Sequence, residues 1–215
     1  RHKTITMDSL IDQSIKTVDH LLNPPRSCLK ALLAECAGVA IFHSVGAALI
    51  VSASAAHGIV LKRHGAEWSP PSAVSMANIG VGLAIGAKTS DIIMILGMDQ
   101  DVRVLSSQQG IEIGGNLSIK AGPVDATHEV DLNASAGGGA ITYCYAISEG
   151  AFVGASVETG VLTSRPGVNA DFYNSGATPE DILFHMCTVK APEGSRLPEL
   201  HEKLNLLMEG HLQPH

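Results

Sequence analysis

The sequence has few aromatic residues and no excess of positive charge. One tryptophan, three tyrosines and four phenylalanines occur among its 215 residues, against 22 glycines. Because large rings are scarce, the interior has to close by near approach of backbones rather than around aromatic side chains. With 45% hydrophobic and 16% charged residues, the composition is typical of one globular domain and excludes disordered and collagen-like chains.

Positive charge is in the minority. The chain carries 14 lysines and arginines against 21 aspartates and glutamates, which gives a formal net charge of −7 at pH 7. A negative field of this kind repels nucleic-acid phosphates and anionic lipid unless basic groups cluster locally. We therefore expect no nucleic-acid partner.

Paired cysteines and spaced metal ligands are also missing. The four cysteines are far apart in the sequence, at Cys28, Cys36, Cys144 and Cys187. Without a C-x-x-C pair they are interpreted as buried, reduced thiols. The histidines between residues 43 and 185 show no H-x-x-x-H pair, which is the spacing that a helical zinc site needs. We expect neither a metal ion nor a cofactor.

Neither a leader peptide nor a membrane-spanning helix is predicted. Residues 5–22 contain Asp8, Asp12 and Asp19, which the apolar core of a signal peptide does not tolerate. Residues 36–61 have no acidic residue, lysine or arginine and are long enough for a bilayer span. Histidines, serines and glycines interrupt that stretch, however, so it is interpreted as strand. We expect a cytoplasmic protein.

The first segment has helical periodicity. Four apolar residues recur at helical spacing, namely Ile11, Ile15, Val18 and Leu22. This pattern predicts an amphipathic helix over about residues 5–22, ended by the ring of Pro24, and a second helix follows from Ser27 to about Cys36. The apolar stripe either packs on the domain or lies in a membrane interface. Packing is favoured, because the helix lacks the lysines usual on interfacial helices.

From Val39 to about Leu162 the apolar pattern changes to a period of two. In residues 79–86, bulky side chains alternate with glycine or alanine, so one strand face is apolar and the other nearly bare. Glycine repeated inside strands indicates bends, bulges or another backbone lying close. We expect the bare face at Gly80, Gly82 and Gly86 to be pressed against other atoms. The pattern predicts a curved, glycine-rich antiparallel sheet or a partly closed barrel.

Helical signals return near the end of the chain. Thr178 followed by Pro179 and two acids is typical of an N-cap and first helical turn, and a last helix is predicted from Ser195 to Gly210. Helices over about 5–36, a β core over about 39–162 and helices over about 179–210 make a single α+β domain spanning residues 1–215.

No pattern predicts catalysis. The glycine run lacks the third glycine of a dinucleotide fingerprint, and Ala87 separates its last glycine from Lys88, which a phosphate loop needs to be adjacent. Ser156 lies in the middle of a predicted strand, where no sharp turn would expose a nucleophile. We expect that the chain is not an enzyme.

Several short blocks follow one another in a characteristic order. They are Ala37-Gly38-Val39-Ala40-Ile41, Gly58-Ile59-Val60-Leu61, Trp68-Ser69-Pro70-Pro71, the glycine run, Glu149-Gly150-Ala151-Phe152, and Asn169 with Phe172-Tyr173. In this order the chain resembles the SYLF domain family of lipid-binding and actin-regulating modules along nearly its whole length. The resemblance implies a domain without catalysis that binds phosphoinositide-bearing membrane, in part through its N-terminal amphipathic helix. It further implies the property of fungal members, which is that the domain binds and bundles actin filaments.

The sequence departs from the family where charge matters. Asp8, Asp12 and Asp19 lie on the first helix, where family members often carry lysines, and Glu149 replaces a lysine. Each surface cation near an anionic membrane is worth about 1 kcal/mol, so these changes weaken the implied lipid binding. The alternative function is a protein-interaction or assembly module that has kept the SYLF fold and lost the lipid site.

The remaining cations define a candidate lipid site. Lys62, Arg63 and His64 form the densest basic cluster after the N-terminus, at a turn where we expect their donors to be exposed. A solvated hairpin turn is the other interpretation. The first helix adds a second set of candidate lipid contacts, Lys16, Ile11, Ile15, Val18 and Leu22. The expected partners are a phosphoinositide-containing membrane, bound peripherally from the cytoplasm, and actin or another protein.

Overall fold

The computed structural model describes residues 4–22, 27–113, 117–121, 140–185 and 188–209. The helices are α1 (Met7–Leu22), α2 (Ser27–Glu35), α3 (Asp99–Leu105), α4 (Pro166–Tyr173), α5 (Pro179–Phe184) and α6 (Leu197–Glu209). The strands are β1 (Gly38–His64), β2 (Glu67–Trp68), β3 (Ser72–Leu96), β4 (Ile111–Ile113), β5 (Leu117–Ala121) and β6 (Ala140–Ser164).

The described strands form one mainly antiparallel sheet in the order β2-β1-β3-β6-β4-β5. Three long strands dominate it, because β3 pairs along nearly its whole length with β1 on one side and β6 on the other. The short strand β5 runs parallel to the start of β6, and β4 runs antiparallel to its end. The described pairing does not return to β1, so the sheet is open rather than closed into a barrel.

Strand β1 doubles back on itself. Gly46 and Ser54 would lie about 26 Å apart in a straight strand at about 3.3 Å per residue, yet a Cβ built on Gly46 would lie 3.2 Å from Ser54 Cβ. The register of β1 with β3 shifts between Leu49 and Val51, and such a bulge bends a strand and increases its twist. The two halves of β1 therefore face each other.

Two glycines stand where the halves of β1 come closest. A Cβ on Gly58 would lie 2.1 Å from the carbonyl oxygen of Ile41, and one on Gly38 would lie 2.6 Å from that of Leu61. Backbone therefore lies directly against two glycines of β1. The prediction for Gly80, Gly82 and Gly86 stays a prediction, because the structure describes the backbone of these residues and not their surroundings.

Each face of the bent sheet has its own hydrophobic core. One of them, the inner core, holds Phe42, Val60 and Met94, with Val102 of α3 and Leu183 of α5. The outer core lies beneath the other helices, where α1, α2, α4 and α6 cover residues of alternate parity such as Ile41 and Ile59. Both faces are buried there, which is why β1 is apolar at odd and even positions alike.

The expected α+β class, the curved antiparallel sheet and the flanking helices are confirmed. The first helix begins at Met7 rather than at residue 5, because Thr6 is its cap: Thr6 Oγ1 accepts from the Ser9 amide at 3.3 Å, and the Thr6 amide donates to Ser9 Oγ at 3.2 Å. The expected cap of α5 is also present, since Thr178 Oγ1 accepts from the Asp181 amide at 3.2 Å.

Two helices, one within the β core and one directly after it, are not among the helices that the sequence analysis predicts. Helix α3 lies inside it, and α4 begins at Pro166 directly after β6. The residue before α3 is Met98, which has no capping oxygen; its amide instead donates to Asp101 Oδ2 at 2.9 Å, from inside the helix. A search for Ser, Thr, Asp or Asn ahead of the first turn misses this arrangement.

The close approach at Gly58 yields a stability prediction. Gly58→Ala forces a methyl group against the Ile41 carbonyl, so we expect a loss of about 2 kcal/mol or more in the free energy of unfolding, measured by urea denaturation. Gly176→Ala is the matched control, because a Cβ there meets nothing within 4 Å. Equal stability of the Gly58 variant and the parent would show that the halves of β1 separate at no cost.

Candidate functional site

The basic turn predicted as a lipid site begins with a buried lysine. Lys62 is only 8% exposed, and its Nζ lies 2.5 Å from Asp99 Oδ1 at the start of α3. The same Nζ is 5.1 Å from the ring centroid of Phe184, and Arg103 stacks on that ring at 3.9 Å. The expectation of an exposed donor is therefore wrong for Lys62, whose charge is neutralised inside the fold.

Arg63 and His64 are also engaged within the protein. Arg63 donates to the carbonyl oxygens of Leu33, at 2.7 Å, and of Ala34, both in the last turn of α2. A guanidinium at that end of a helix satisfies free carbonyls and opposes the negative end of the helix dipole. His64 Nε2 lies 2.7 Å from the carbonyl oxygen of Leu183 in α5. Residues 62–64 are the end of β1 rather than a turn, and they fasten α2, α3 and α5 to the sheet.

The apolar stripe of α1 packs on the domain, as favoured from the sequence. Ile11, Ile15 and Val18 are buried at 1%, 3% and 0% exposure, and Leu22 is partly buried against the same core. While α1 stays docked, Ile11, Ile15 and Val18 are closed to solvent, so the first helix contributes to the outer core.

The polar edge of α1 is tied to α6. Asp12 accepts from Arg196 at 2.8 Å, and Asp19 accepts from Lys203. At the end of α1, His20 Nδ1 lies 3.6 Å from Asp91 in β3. Two of the aspartates that reduce the positive charge of α1 are therefore paired with cations from the far end of the chain.

Lys16 is different from the other basic residues. It is exposed on α1, and among the lysines and arginines whose side chains the structure describes, it and Lys190 are the two without an ion pair or side-chain hydrogen bond. Of the predicted lipid contacts, Lys16 alone presents a free charge to solvent. The structure does not bring it together with Lys62.

Two of the blocks that carry the family resemblance contact each other. Asn169 Oδ1 accepts from the Ala73 amide at 2.8 Å and Asn169 Nδ2 donates to Ser72 Oγ at 3.1 Å. Tyr173 donates its hydroxyl proton to the carbonyl oxygen of Pro71 at 2.6 Å, and burial raises the Tyr173 pKa. These buried bonds hold α4 against the chain entering β3.

The residues directly before that segment form hydrogen bonds with α6. Trp68 Nε1 donates to Asn205 Oδ1 at 3.0 Å, and His201 Nε2 lies 3.1 Å from the Ser69 carbonyl oxygen. The sequence analysis missed His201 and Asn205; their one signal is a separation of four residues, which places both on the same side of a helix. Residues 68–73 are therefore the line along which the C-terminal helices dock.

Cys36 is a free cysteine buried in the outer core. Burial raises the pKa of the Cys36 thiol to about 11, so this cysteine is inert at neutral pH, as expected. The described residues contain no group of three histidine, cysteine or acidic side chains placed to hold a metal ion. Among the described helices, none combines the length and apolar character needed to span a bilayer.

Comparisons with known proteins identify the family. A sequence profile described as "Ysc84: Las17-binding protein actin regulator" matches residues 77–205. The chain belongs to the Ysc84, or SYLF, family.

Its relatives in the Ysc84 family are full-length proteins of greater size. "SH3 domain-containing YSC84-like protein 1" of Rattus norvegicus is 32% identical over 189 residues, which cover 87% of this chain and 54% of the relative. "Protein YSC84" and "LAS seventeen-binding protein 3" of Saccharomyces cerevisiae are each 35% identical over 153 residues, or 71% of this chain and 33% of the relative. The chain thus spans about half or less of their length. No solved structure matches it.

Residues 62–64 yield a prediction about stability. Arg63→Ala removes charge-assisted bonds to the end of α2, and we expect a loss of about 1–3 kcal/mol in the free energy of unfolding. Chemical denaturation measures it, with Lys190→Ala as the control because Lys190 has no described partner. A stability equal to that of the parent would mean that these residues are only part of a solvated hairpin.

His201 gives a pH prediction. Burial holds its pKa below the ordinary 6.5. Just below pH 6.5, His201 therefore binds a proton in the unfolded chain but stays neutral in the folded chain. Stability is therefore full above pH 6.5 and falls as the pH drops through the folded-state pKa, by at most about 1.4 kcal/mol per pH unit. Denaturation at pH 7.5 and 5.5 should show a smaller loss for His201→Gln than for the parent. Identical losses would exclude His201 as a source of the pH dependence.

Proposed function

We propose that this chain is a non-catalytic adaptor module of the actin cytoskeleton that also attaches peripherally to phosphoinositide-bearing membrane. The observation that carries the actin part is family membership: relatives at 32–35% identity are named for Ysc84 and for binding Las17, and the family is described as an actin regulator. We take residues 1–215 as one domain, acting in the cytoplasm.

The membrane part of the proposal rests on Lys16. Its ammonium group is exposed and unpaired on α1, one helical turn before His20, so it is free to meet an anionic headgroup. Lys62, Arg63 and His64 would have to give up internal partners before they bound a phosphate. Ile11, Ile15 and Val18 would have to leave the outer core before they entered lipid. Electrostatic contact through the exposed edge of α1 needs neither change.

A second candidate function is a protein-interaction module that has lost the lipid site. The net charge of −7 favours it, as do the internal partners of most described cations. In that case the chain would regulate actin through protein contacts alone, without binding a membrane.

Two sedimentation assays separate these functions. We expect the chain to sediment with actin filaments, and with phosphatidylcholine vesicles only when they contain phosphatidylinositol bisphosphate. Lys16→Ala should weaken vesicle binding about fivefold, since one cation near an anionic surface is worth about 1 kcal/mol. Lys190→Ala is the matched control, being equally exposed and without a described partner.

The outcomes are distinct. Vesicle binding that Lys16→Ala leaves unchanged would remove α1 as the contact and return attention to residues 62–64. Actin binding without any vesicle binding would support the protein-interaction module. A chain that sediments with neither would contradict the proposed function in both forms.

A further inference from the structure

A small groove lies between the start of α1 and α4, away from Lys16 and from residues 62–64. Its volume is about 180 Å³, below the roughly 300 Å³ at which pockets begin to accommodate drug-sized ligands. The groove therefore suits one long side chain of a partner rather than a cofactor or a nucleotide.

The floor of the groove is apolar and firmly held. Ile5, Met7, Val168 and Phe172 line it. Met7 is 1% exposed and Phe172 9%, so these residues belong to the outer core and do not collapse into the opening. The capping bonds between Thr6 and Ser9 keep the chain turned so that Ile5 also packs against that core.

The rim of the groove is acidic. Asp8 and Asp171 both line it, both are exposed, and neither has an ion pair or side-chain hydrogen bond in the described part of the chain. Asp12 and Asp19, farther along α1, are by contrast paired with Arg196 and Lys203. The groove thus combines an apolar floor with two carboxylates that have no partner among the cations that the structure describes.

The position of Asp171 works against stability. It lies in the last turn of α4, a helix with no basic residue in that turn, and a negative charge there is repelled by the negative end of the helix dipole. Neither pairing nor capping accounts for the carboxylate.

We propose that this groove binds a lysine or arginine side chain of a partner protein, presented by an extended basic segment. Such a side chain has an apolar stem and a charged head. The stem lies along Phe172 and Ile5, and the head lies between the carboxylates of Asp8 and Asp171. This site is independent of the proposed lipid contact, because its charge is of the opposite sign.

Fluorescence anisotropy with a labelled peptide tests the inference. The probe is Gly-Ala-Leu-Lys-Arg-Leu-Ala-Gly, and its counterpart has glutamate in both basic positions. We expect the parent to bind the basic peptide alone, more weakly as salt rises. Asp171→Asn should weaken binding about threefold and the double variant with Asp8→Asn about tenfold.

Two controls separate a groove from general attraction. The variant Glu67→Gln with Glu112→Gln removes two exposed acids elsewhere and should bind the peptide as the parent does. The thermal midpoint of Asp171→Asn should be equal to or above that of the parent, because the substitution relieves the dipole repulsion. Weaker binding by a protein that is no less stable cannot come from misfolding.

Three results would overturn the proposal. One is a parent that binds the basic and acidic peptides equally or binds neither. Another is a double aspartate variant that binds as tightly as the parent. The third is an equal loss in the glutamate control, which would show that net charge, and not the groove, attracts the peptide.

Discussion

The fold depends on the contact of β1 with itself. At Gly58 and Gly38 the two halves of the strand lie so close that a Cβ would meet a carbonyl oxygen at 2.1 or 2.6 Å. Only glycine permits this distance, and the two halves of β1 therefore meet backbone against backbone with no side chain between them at these positions. A chain so poor in aromatic residues closes its interior because its backbones, rather than its rings, come together.

A second constraint is the segment 68–73, which is short and almost wholly buried. Its carbonyl, amide and indole groups form hydrogen bonds with two helices, through Asn169 and Tyr173 of α4 and His201 and Asn205 of α6. These helices are therefore positioned by hydrogen bonds as well as by apolar contact. An unpaired group here would carry the full cost of burial. The blocks by which the family is recognised are in this respect fold-forming residues. Their presence in a sequence is therefore stronger evidence for the fold than for a particular binding partner.

Much of the architecture was predictable from local patterns. The stripe on α1, the alternation in the strands and the cap of α5 each depend on neighbours in the sequence, and each is found. Helices α3 and α4 were not predictable in this way, since Asp101 caps α3 from within and Arg165, ahead of α4, makes no side-chain capping bond. The same limit applies to residues 62–64. These three cations are adjacent in the sequence, but their partners lie in α2, α3 and α5, which only the tertiary structure brings near.

The pairing of α1 with α6 has a consequence for how the protein is made. Asp12 and Arg196, like Asp19 and Lys203, are 184 residues apart in the chain. At a synthesis rate of about 5–20 residues per second, the apolar stripe of α1 leaves the ribosome roughly 10–40 seconds before the helix that covers its edge exists. During that interval the first helix is an amphipathic segment without its final partner. Newly made chains therefore need shielding of this stripe, by a chaperone or by the growing sheet, until translation reaches α6.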